Sequence, residues 1–172
     1  MLLLANVISK IKNIGELRLP TYRYSIQTDP DRSAKASARD IGISRKASRE
    51  ICKAIKGMTI HQSVEFLEAV IEKKVAVPYR RFKRNVGHKS SVVGWTGGRY
   101  PEKAAKEILK VIRNLENNAE NNQLQLDRCR IVHASTLQGT KQKAIFYRAQ
   151  GRSSPKVREF VHIELIAEVA ES

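Results

Sequence analysis

Two stretches in the last third of the chain decide the fold: CRIVHAST at residues 129–136 and VHIELIAEV at residues 161–169. The first is rich in β-prone residues, and the second alternates apolar and polar positions with a period of two. Both patterns are typical of β-strands. We expect the two stretches to pair as antiparallel strands, with residues 138–158 forming a long hairpin arm between them. The Gln150–Gly151 pair is the expected turn of that arm.

Three helices are predicted upstream of these strands. The first follows Ser44, a residue type favoured at N-caps, and ends near Gly57, a type favoured at helix C-termini. The second follows Thr59, which has the capping-box partner Gln62 three residues later. The third opens at Pro101, a favoured first helical position. The predicted fold is therefore α+β, with about three helices packed on a small antiparallel sheet and a long protruding β-hairpin.

Shorter patterns occupy the N-terminal part of the chain. Residues 4–14 are consistent with a short helix or with a loose tail. Residues 22–26 predict a short strand, and the Asp-Pro-Asp triplet at residues 29–31 predicts a turn. Residues 34–43 predict a further strand.

Composition and charge indicate the class of partner. The chain has 172 residues, with 32 Lys+Arg against 17 Asp+Glu and a net charge of +15. Such a surplus repels itself and points to a polyanion, either nucleic acid or an anionic membrane surface. The apolar start lacks a basic n-region and is interrupted by Lys10 and Lys12, so neither a signal peptide nor a membrane span is expected. Cys52 and Cys129 are expected to be intracellular thiols rather than a disulfide framework.

The positive charge is concentrated in two segments. The first, residues 128–158, includes the arm. Residues 128–158 contain no Asp or Glu. A lone two-stranded ribbon is marginal in water, and like charges along it oppose pairing, so we interpret the arm as shaped by a surrounding anion. The alternative is a solvated basic loop without a specific partner. The predicted phosphate contacts in this segment are Arg128, Arg130, Lys141, Lys143, Lys156 and Arg158.

The second basic segment is the loop predicted over residues 75–100, which also lacks acidic residues. Guanidinium groups bind phosphates in a forked geometry, and the rings of Tyr79, Phe82, Trp95 and Tyr100 can cover an exposed base or sugar. Alternatively, these aromatic residues anchor the loop to the domain. The predicted phosphate contacts of this loop are Arg80, Arg81, Lys83, Arg84, Lys89 and Arg99.

The sequence shows no catalytic or metal-binding pattern. None of the four histidines has a partner at zinc-finger spacing, and we expect His133 and His162 to face each other as a structural pair at the base of the arm. No nucleophile elbow, phosphate-binding loop or paired carboxylates are found. We therefore expect no enzymatic activity, no metal and no cofactor, and Cys52 is expected in the core.

Two other function classes fit the sequence less well. Residues 44–67 are compatible with a DNA-binding helix-turn-helix, but the second helix carries Glu65, Glu68 and Glu72, which would face phosphates unfavourably. An RNA-modifying enzyme would need the catalytic set that the sequence lacks. Both alternatives are therefore disfavoured.

Several motifs resemble the family of the universal large-subunit ribosomal protein numbered twenty-two. The sequence RAQGRS at residues 148–153 is similar to the Arg-Ala-x-Gly-Arg-Ala/Ser tip of its hairpin. VGHKS at residues 86–90 and GRYPEKA at residues 98–104 are similar to the insertion of its archaeal and eukaryotic branch. The match runs from about Tyr24 to the C-terminus.

The resemblance implies a structural, cytoplasmic constituent of the large ribosomal subunit. Its partners would be 23S-type rRNA, neighbouring ribosomal proteins and the nascent polypeptide, without DNA or membrane partners, and it would assist subunit assembly. Residues 1–21 are interpreted as an N-terminal extension and residues 22–172 as a single domain. In the family the hairpin tip lines the peptide exit tunnel, which assigns that role to Arg148, Ala149, Gln150, Gly151, Arg152 and Ser153.

Overall fold

The computed structural model describes residues 23–92 and 94–170. The predicted α+β architecture is confirmed. The extension over residues 1–21 and the two alternatives for residues 4–14 lie outside the described residues. In the described part, the elements in chain order are β1 (Ser33–Ile41), α1 (Arg45–Ile55), α2 (Ile60–Ile71), β2 (Val77–Pro78), β3 (Gly98–Arg99), α3 (Glu102–Asn121), a short 3-10 turn (Leu126–Arg128), β4 (Cys129–Tyr147) and β5 (Ser153–Val169).

The main sheet has the strand order β1-β5-β4, and both pairings are antiparallel. Strand β5 pairs with β4 along its whole length, from Cys129 opposite Val169 to Tyr147 opposite Ser153. Strand β1 accompanies β5 only as far as Ile41, which lies opposite Val161. The sheet is therefore three-stranded over the core and continues beyond Val161 as a two-stranded arm. The strands predicted in the last third of the chain and over residues 34–43 are confirmed.

Helices α1 and α3 bury their apolar faces on this sheet, and α2 adds to the core by packing on α3. Helix α3 packs against β1, α1 packs against β4, and α2 packs against α3. Complete burial of one large aliphatic side chain stabilises a fold by about 1.5–3 kcal/mol, so the apolar stripes account for the arrangement. The largest fully buried aliphatic side chains are Ile51, Ile55, Ile60, Leu67, Ile108, Ile112, Leu115, Ile131, Ile163, Leu165 and Ile166.

The helix ends follow the predicted signals only in part. The capping box is present, since the N–H of Gln62 donates to Thr59 Oγ1 at 3.3 Å and the N–H of Thr59 donates to Gln62 Oε1 at 3.2 Å. Gly57 follows α1 with φ +93°, a conformation that glycine adopts without strain. Ser44 occupies the N-cap of α1, but its side chain makes no capping hydrogen bond. Pro101 is the N-cap of α3 rather than its first helical residue.

The strand predicted over residues 22–26 is wrong for the described residues, because residues 23–28 form no strand. A side chain ties this segment to the sheet instead. Ser25 donates to Glu164 Oε2 from its N–H at 3.2 Å and from its hydroxyl at 2.6 Å. Glu164 is only 1% exposed, so these bonds compensate part of the cost of burying its carboxylate. The turn after this segment is confirmed, with the N–H of Arg32 donating to the Asp29 carbonyl at 3.3 Å.

The prediction that His133 and His162 face each other is wrong. In the register of β4 and β5, His133 lies opposite Ile166 and His162 lies opposite Leu137. The reason is the position of the turn, which places the partner of His133 four residues beyond His162. Among the described residues, no group of three His, Cys, Asp or Glu side chains could hold a metal ion.

Both cysteines lie in the core as free thiols, as expected for Cys52. Burial raises the pKa of the Cys52 thiol to about 12 and also raises that of Cys129. Cys52 is therefore protonated at neutral pH and acts as an apolar core residue. Within the described ranges, no helix has the length and hydrophobicity needed to cross a bilayer.

Candidate RNA-binding surface

The insertion loop, residues 75–100, is folded back on itself. Its ends are joined by the short β2–β3 pair, in which Val77 lies opposite Arg99. Further inside the loop, the N–H of Tyr79 donates to the Gly97 carbonyl at 3.0 Å and the N–H of Gly98 donates to the Gly87 carbonyl at 3.2 Å. The prediction of a loop holds, with the addition of this two-residue ladder.

The aromatic residues of the insertion loop anchor it. Trp95 Nε1 donates to the Tyr79 carbonyl at 3.0 Å, and the ring of Phe82 packs against the core. Tyr79 is only 5% exposed, and this burial raises the pKa of its hydroxyl. The anchoring alternative is therefore correct for Tyr79 and Phe82, whereas Trp95 bonds to the backbone within the loop itself. Base stacking by Tyr79, which the sequence also allowed, is excluded by its burial.

The backbone of the loop is also held by hydrogen bonds to Glu50, a buried residue of α1. Glu50 is 2% exposed, and its Oε1 accepts hydrogen bonds from the N–H groups of Arg81 and Phe82, both at 2.9 Å. Its Oε2 accepts from the N–H of Arg80 at 3.2 Å. Three successive amides converging on one carboxylate satisfy a buried charge that would otherwise be costly. Glu50 is not among the site residues predicted from sequence, although an acidic residue beside Ile51 on the buried face of a helix is a signal for it.

Between the N-terminus of α1 and the insertion loop lies a cleft of about 400 Å³. We refer to it as the basic cleft. Its cationic side chains are those of Lys46, Arg81, Arg84 and Arg99. In the described part of the chain, none of these four groups lies within 4 Å of a carboxylate oxygen. Its lining residues are Ser44, Lys46, Ala47, Tyr79, Arg81, Phe82, Arg84 and Arg99.

The arm, residues 138–158, ends in the turn that the sequence predicts. The N–H of Arg148 donates to the Arg152 carbonyl at 2.9 Å. Gln150 and Gly151 have φ of +59° and +68°, so the chain reverses through two left-handed residues. All six predicted tip residues, 148–153, are exposed. The structure therefore presents the predicted tip as a narrow turn at the far end of the arm.

The register of the arm separates its cations. Lys143 lies opposite Val157, Lys156 opposite Ala144, and Lys141 opposite Glu159. Arg158 lies opposite the neutral Gln142. The expected repulsion between like charges therefore does not arise between directly opposite residues. Because side chains alternate between the two faces of a strand, both faces of the arm carry positive charge.

The arm has no core of its own. Its large apolar side chains are open to solvent: Ile145 is 64% exposed, Tyr147 is 83% exposed and Val157 is 50% exposed. Phe146 is 54% exposed, and the guanidinium of Arg148 lies 5.0 Å from its ring centroid. Within the described residues, none of the basic side chains of the arm forms an ion pair within 4 Å. Contacts among the described residues thus leave most of the charge and the apolar surface of the arm uncompensated.

The structure divides the predicted contacts into separate patches. Arg130 lies at the start of β4, roughly 60 Å of extended strand from the tip, and faces Glu168. Arg128 lies just before it, so these two arginines do not share a surface with the arm. The basic cleft is closer to the root of the arm, because Arg45, next to its lining residues, donates from Nη1 to Gln138 Oε1 at 2.9 Å.

The exposed side of α2 is acidic. Glu65, Glu68 and Glu72 all lie on its solvent face. A recognition helix in that position would bring three carboxylates toward DNA phosphates, so the structure gives no support to the helix-turn-helix alternative.

Comparison with known proteins gives a consistent result. Residues 36–168 match the family model described as Ribosomal protein L22p/L17e. A protein of Cenarchaeum symbiosum named Large ribosomal subunit protein uL22 is 51% identical over 142 residues, which are 83% of this chain and 93% of that protein. The protein of the same name from Methanocaldococcus jannaschii is 46% identical over 146 residues, 85% of this chain and 94% of its own. That of Thermofilum pendens is 44% identical over 153 residues, 89% of this chain and all of its own.

Proposed function

Because the chain belongs to the ribosomal protein L22p/L17e family, we propose that it binds 23S-type rRNA and lines the peptide exit tunnel with its hairpin tip. Members of the family are structural, non-enzymatic components of the ribosome, and this chain is of the archaeal type. Its place in the cell is then the cytoplasmic large subunit, where neighbouring ribosomal proteins are further partners. Residues 22–172 act in this proposal as one RNA-binding domain.

The observation that carries the proposal is the uncompensated arm. A two-stranded ribbon with cations on both faces and large apolar side chains in solvent gains little from its own contacts. Folded rRNA supplies what the arm lacks, because closely spaced phosphates neutralise its Lys and Arg side chains and bases or sugars cover its apolar surface. We infer that Lys141, Lys143, Lys156 and Arg158 contact rRNA backbone and that the arm assists assembly by joining rRNA segments.

The basic residues outside the arm are proposed as a second set of rRNA contacts. Arg80, Arg81, Lys83, Arg84, Lys89 and Arg99 are all exposed on the insertion loop, whose backbone is held by buried anchors. Arg128 and Arg130 are exposed at the opposite end of β4. Binding in separate patches suits recognition of RNA by its shape and backbone, since no reading of base edges is required.

The tip is proposed to line the tunnel wall beside the nascent polypeptide. Its narrow turn, with Gly151 at φ +68°, keeps the end of the arm slim. Arg148 is held over Phe146 and donates from Nε to Ser154 Oγ at 2.9 Å, whereas Arg152 makes no such side-chain contact with the described residues. Arg152 is therefore the tip cation that is free to contact RNA or the passing polypeptide.

Co-sedimentation tests this function. The tagged full-length chain, expressed in an archaeal host, is followed through sucrose gradients at high salt, and we expect it to remain with large subunits. Free chain added to transcribed 23S-type rRNA is expected to bind with an affinity that falls steeply with salt, because each neutralised phosphate releases counterions. Release from subunits at high salt, or an affinity that does not depend on salt, would contradict the proposal.

A further inference from the structure

We propose that the basic cleft is a preformed seat for one phosphate group of the RNA backbone, and that Glu50 is its positioning residue. The inference rests on the proposed rRNA binding and assigns a specific site within it. It differs from the contact set predicted by sequence because it brings in Lys46 of α1 and the buried Glu50. It also separates Arg81, Arg84 and Arg99 from the other exposed cations of the insertion loop.

Two of the four cations of the cleft, Lys46 and Arg99, are held in place by contacts within the protein. The guanidinium of Arg99 lies 5.7 Å from the ring centroid of Tyr79, and its Nη2 donates to the Asn85 carbonyl at 2.7 Å. Lys46 Nζ lies 5.8 Å from the ring centroid of Phe82. Both rings are themselves fixed on the core side of the loop. Two of the four cations thus rest on aromatic platforms, which lowers the entropic cost of ordering them on a ligand.

The charge of the cleft calls for an anion. Lys46, Arg81, Arg84 and Arg99 surround a space of about 400 Å³, and the residues that line it include no acid. Four like charges around one cleft repel each other, and in the described part of the chain no carboxylate oxygen lies within 4 Å of any of them. A phosphate group fits this arrangement, since guanidinium forks bind its oxygens in pairs. The exposed hydroxyl of Ser44 supplies a further donor at the edge of the cleft.

Glu50 sets the geometry without entering the cleft. Its carboxylate is buried and its two oxygens are occupied by the N–H groups of Arg80, Arg81 and Phe82. Those three bonds fix the backbone from which Arg81 and the platform ring of Phe82 extend. The carboxylate therefore positions cationic side chains on the surface, although its own charge is opposite to theirs.

The substitution Glu50→Gln gives a test in which two explanations predict opposite signs. It raises the net charge of +15 by one, so binding by overall charge alone would become equal or tighter. In our proposal binding weakens, because an amide NH₂ group cannot accept the hydrogen bonds that the carboxylate oxygen accepts. We expect affinity for a 23S-type rRNA transcript to fall by about 10-fold, on the scale of one hydrogen bond to a charged group. Glu65→Gln, which removes an exposed charge on α2, is the matched control and is expected to leave affinity unchanged.

A second variant keeps the test decisive if Glu50→Gln does not fold. Arg81→Gln combined with Arg84→Gln changes only exposed side chains, and Lys103→Gln combined with Lys106→Gln removes the same charge from α3. We expect the cleft variant to lose at least about 10-fold in affinity and to lower the salt slope by about 1, as loss of one phosphate contact predicts. Equal losses in the two double variants, or unchanged binding by a folded Glu50→Gln protein, would overturn the proposal.

Inorganic phosphate separates this inference from the proposed function. Titrated into the labelled full-length protein, it is expected to give saturable NMR shifts at the amides of Arg81, Phe82 and Arg99, and none in the Arg81→Gln, Arg84→Gln variant. Shifts spread evenly over all exposed cations would overturn the proposal of a specific phosphate site in the basic cleft. Localised shifts in a protein that does not prefer 23S-type rRNA over tRNA would support the phosphate site and contradict the proposed function.

Discussion

Asp40 Oδ1 accepts hydrogen bonds from both the N–H and the hydroxyl of Thr140, at 3.2 Å and 3.0 Å, across 100 residues of sequence. The contact lies where two irregularities meet, one in β1 between Ala38 and Ile41 and one in β4 between Gln138 and Lys141. It links β1 to the arm at the point beyond which, in the described part of the chain, β5 pairs only with β4. Asp40 and Thr140 thus connect the folded core to the root of the arm.

The first prediction concerns the titration of Asp40. Its hydrogen bonds from Thr140, first the N–H and then the hydroxyl, lower the pKa of the carboxyl below 3.8. Because the folded pKa is lowered, the contact stabilises the fold fully above the unfolded pKa and is lost as pH falls through the folded value. Carbon-detected NMR should give a midpoint below 3.8 for the Asp40 carboxyl. Thr140→Val removes only the hydroxyl bond, so the midpoint should rise part of the way, and an unchanged midpoint would contradict this account.

The second prediction concerns Gly139, which lies beside this contact. A Cβ added there would lie 2.8 Å from Asp40 Oδ1 and 3.1 Å from the Phe160 carbonyl oxygen. The backbone oxygen cannot move aside cheaply, so Gly139→Ala is expected to lower the free energy of unfolding by about 1–3 kcal/mol in urea titrations. Gly87→Ala is the control, since nothing lies within 4 Å of its added Cβ. Equal stability of the two variants would show that the root of the arm tolerates the methyl group.

The elements of the fold were largely predictable because their signals are local. The alternation after Val161 and the capping box at Thr59 each specify structure within a few residues, and both are present. The errors over residues 22–26 and at the two histidines, by contrast, depend on pairings between distant residues. Ser25 binds Glu164 across 139 residues, and the partner of His133 depends on the position of a turn far along the chain. No local pattern carries that information.

The third prediction separates two N-caps that look alike in sequence. Thr59→Ala removes the acceptor of the Gln62 N–H and is expected to lower the free energy of unfolding by about 1 kcal/mol. Ser44→Ala should cost less than about 0.5 kcal/mol, because the Ser44 side chain makes no capping bond. Parallel urea titrations of the two variants measure the difference. A larger loss from Ser44→Ala would mean that its hydroxyl caps α1 in solution.

The charged residues of the candidate site could be predicted from the sequence, but the residues that position them could not. Runs of Arg and Lys without acids are visible directly in the sequence, and every predicted contact side chain is exposed. Which cations share a surface depends on tertiary structure, since Arg130 and Arg158 belong to one acid-free run but lie on different parts of β4 and β5. The role of Glu50 depends on three backbone amides at least 30 residues away.

The fourth prediction concerns the tip of the arm. Arg148→Glu combined with Arg152→Glu is expected to reduce incorporation into large subunits in sucrose gradients, because two carboxylates would face rRNA phosphates. Calorimetry should show a melting temperature within about 2 °C of the parent, since both side chains are exposed and the tip does not touch the core. Arg148→Lys combined with Arg152→Lys keeps the charge and is the control. A large loss of thermal stability would show that the tip belongs to the folding unit.

The fifth prediction is a gradient of amide exchange along β4 and β5 in the free protein. In β5, the segment from Ile163 to Ala167 is buried and pairs with β1 on one side and β4 on the other, so it is expected to exchange slowly. From Lys156 to Glu159 the described residues place only β4 beside it, and the side chains are exposed. Local opening there costs little, so exchange should be fast although the strands are paired.

The same measurement with 23S-type rRNA transcript present decides what shapes the arm. Protection is expected to rise over residues 141–159 and to stay unchanged over the core, because the RNA would surround the ribbon and neutralise its cations. A tRNA at equal nucleotide concentration is the control and should give weaker protection. Strong protection throughout the arm in the free protein would mean that its own contacts hold it, and the uncompensated charge would then no longer argue for enclosure by RNA.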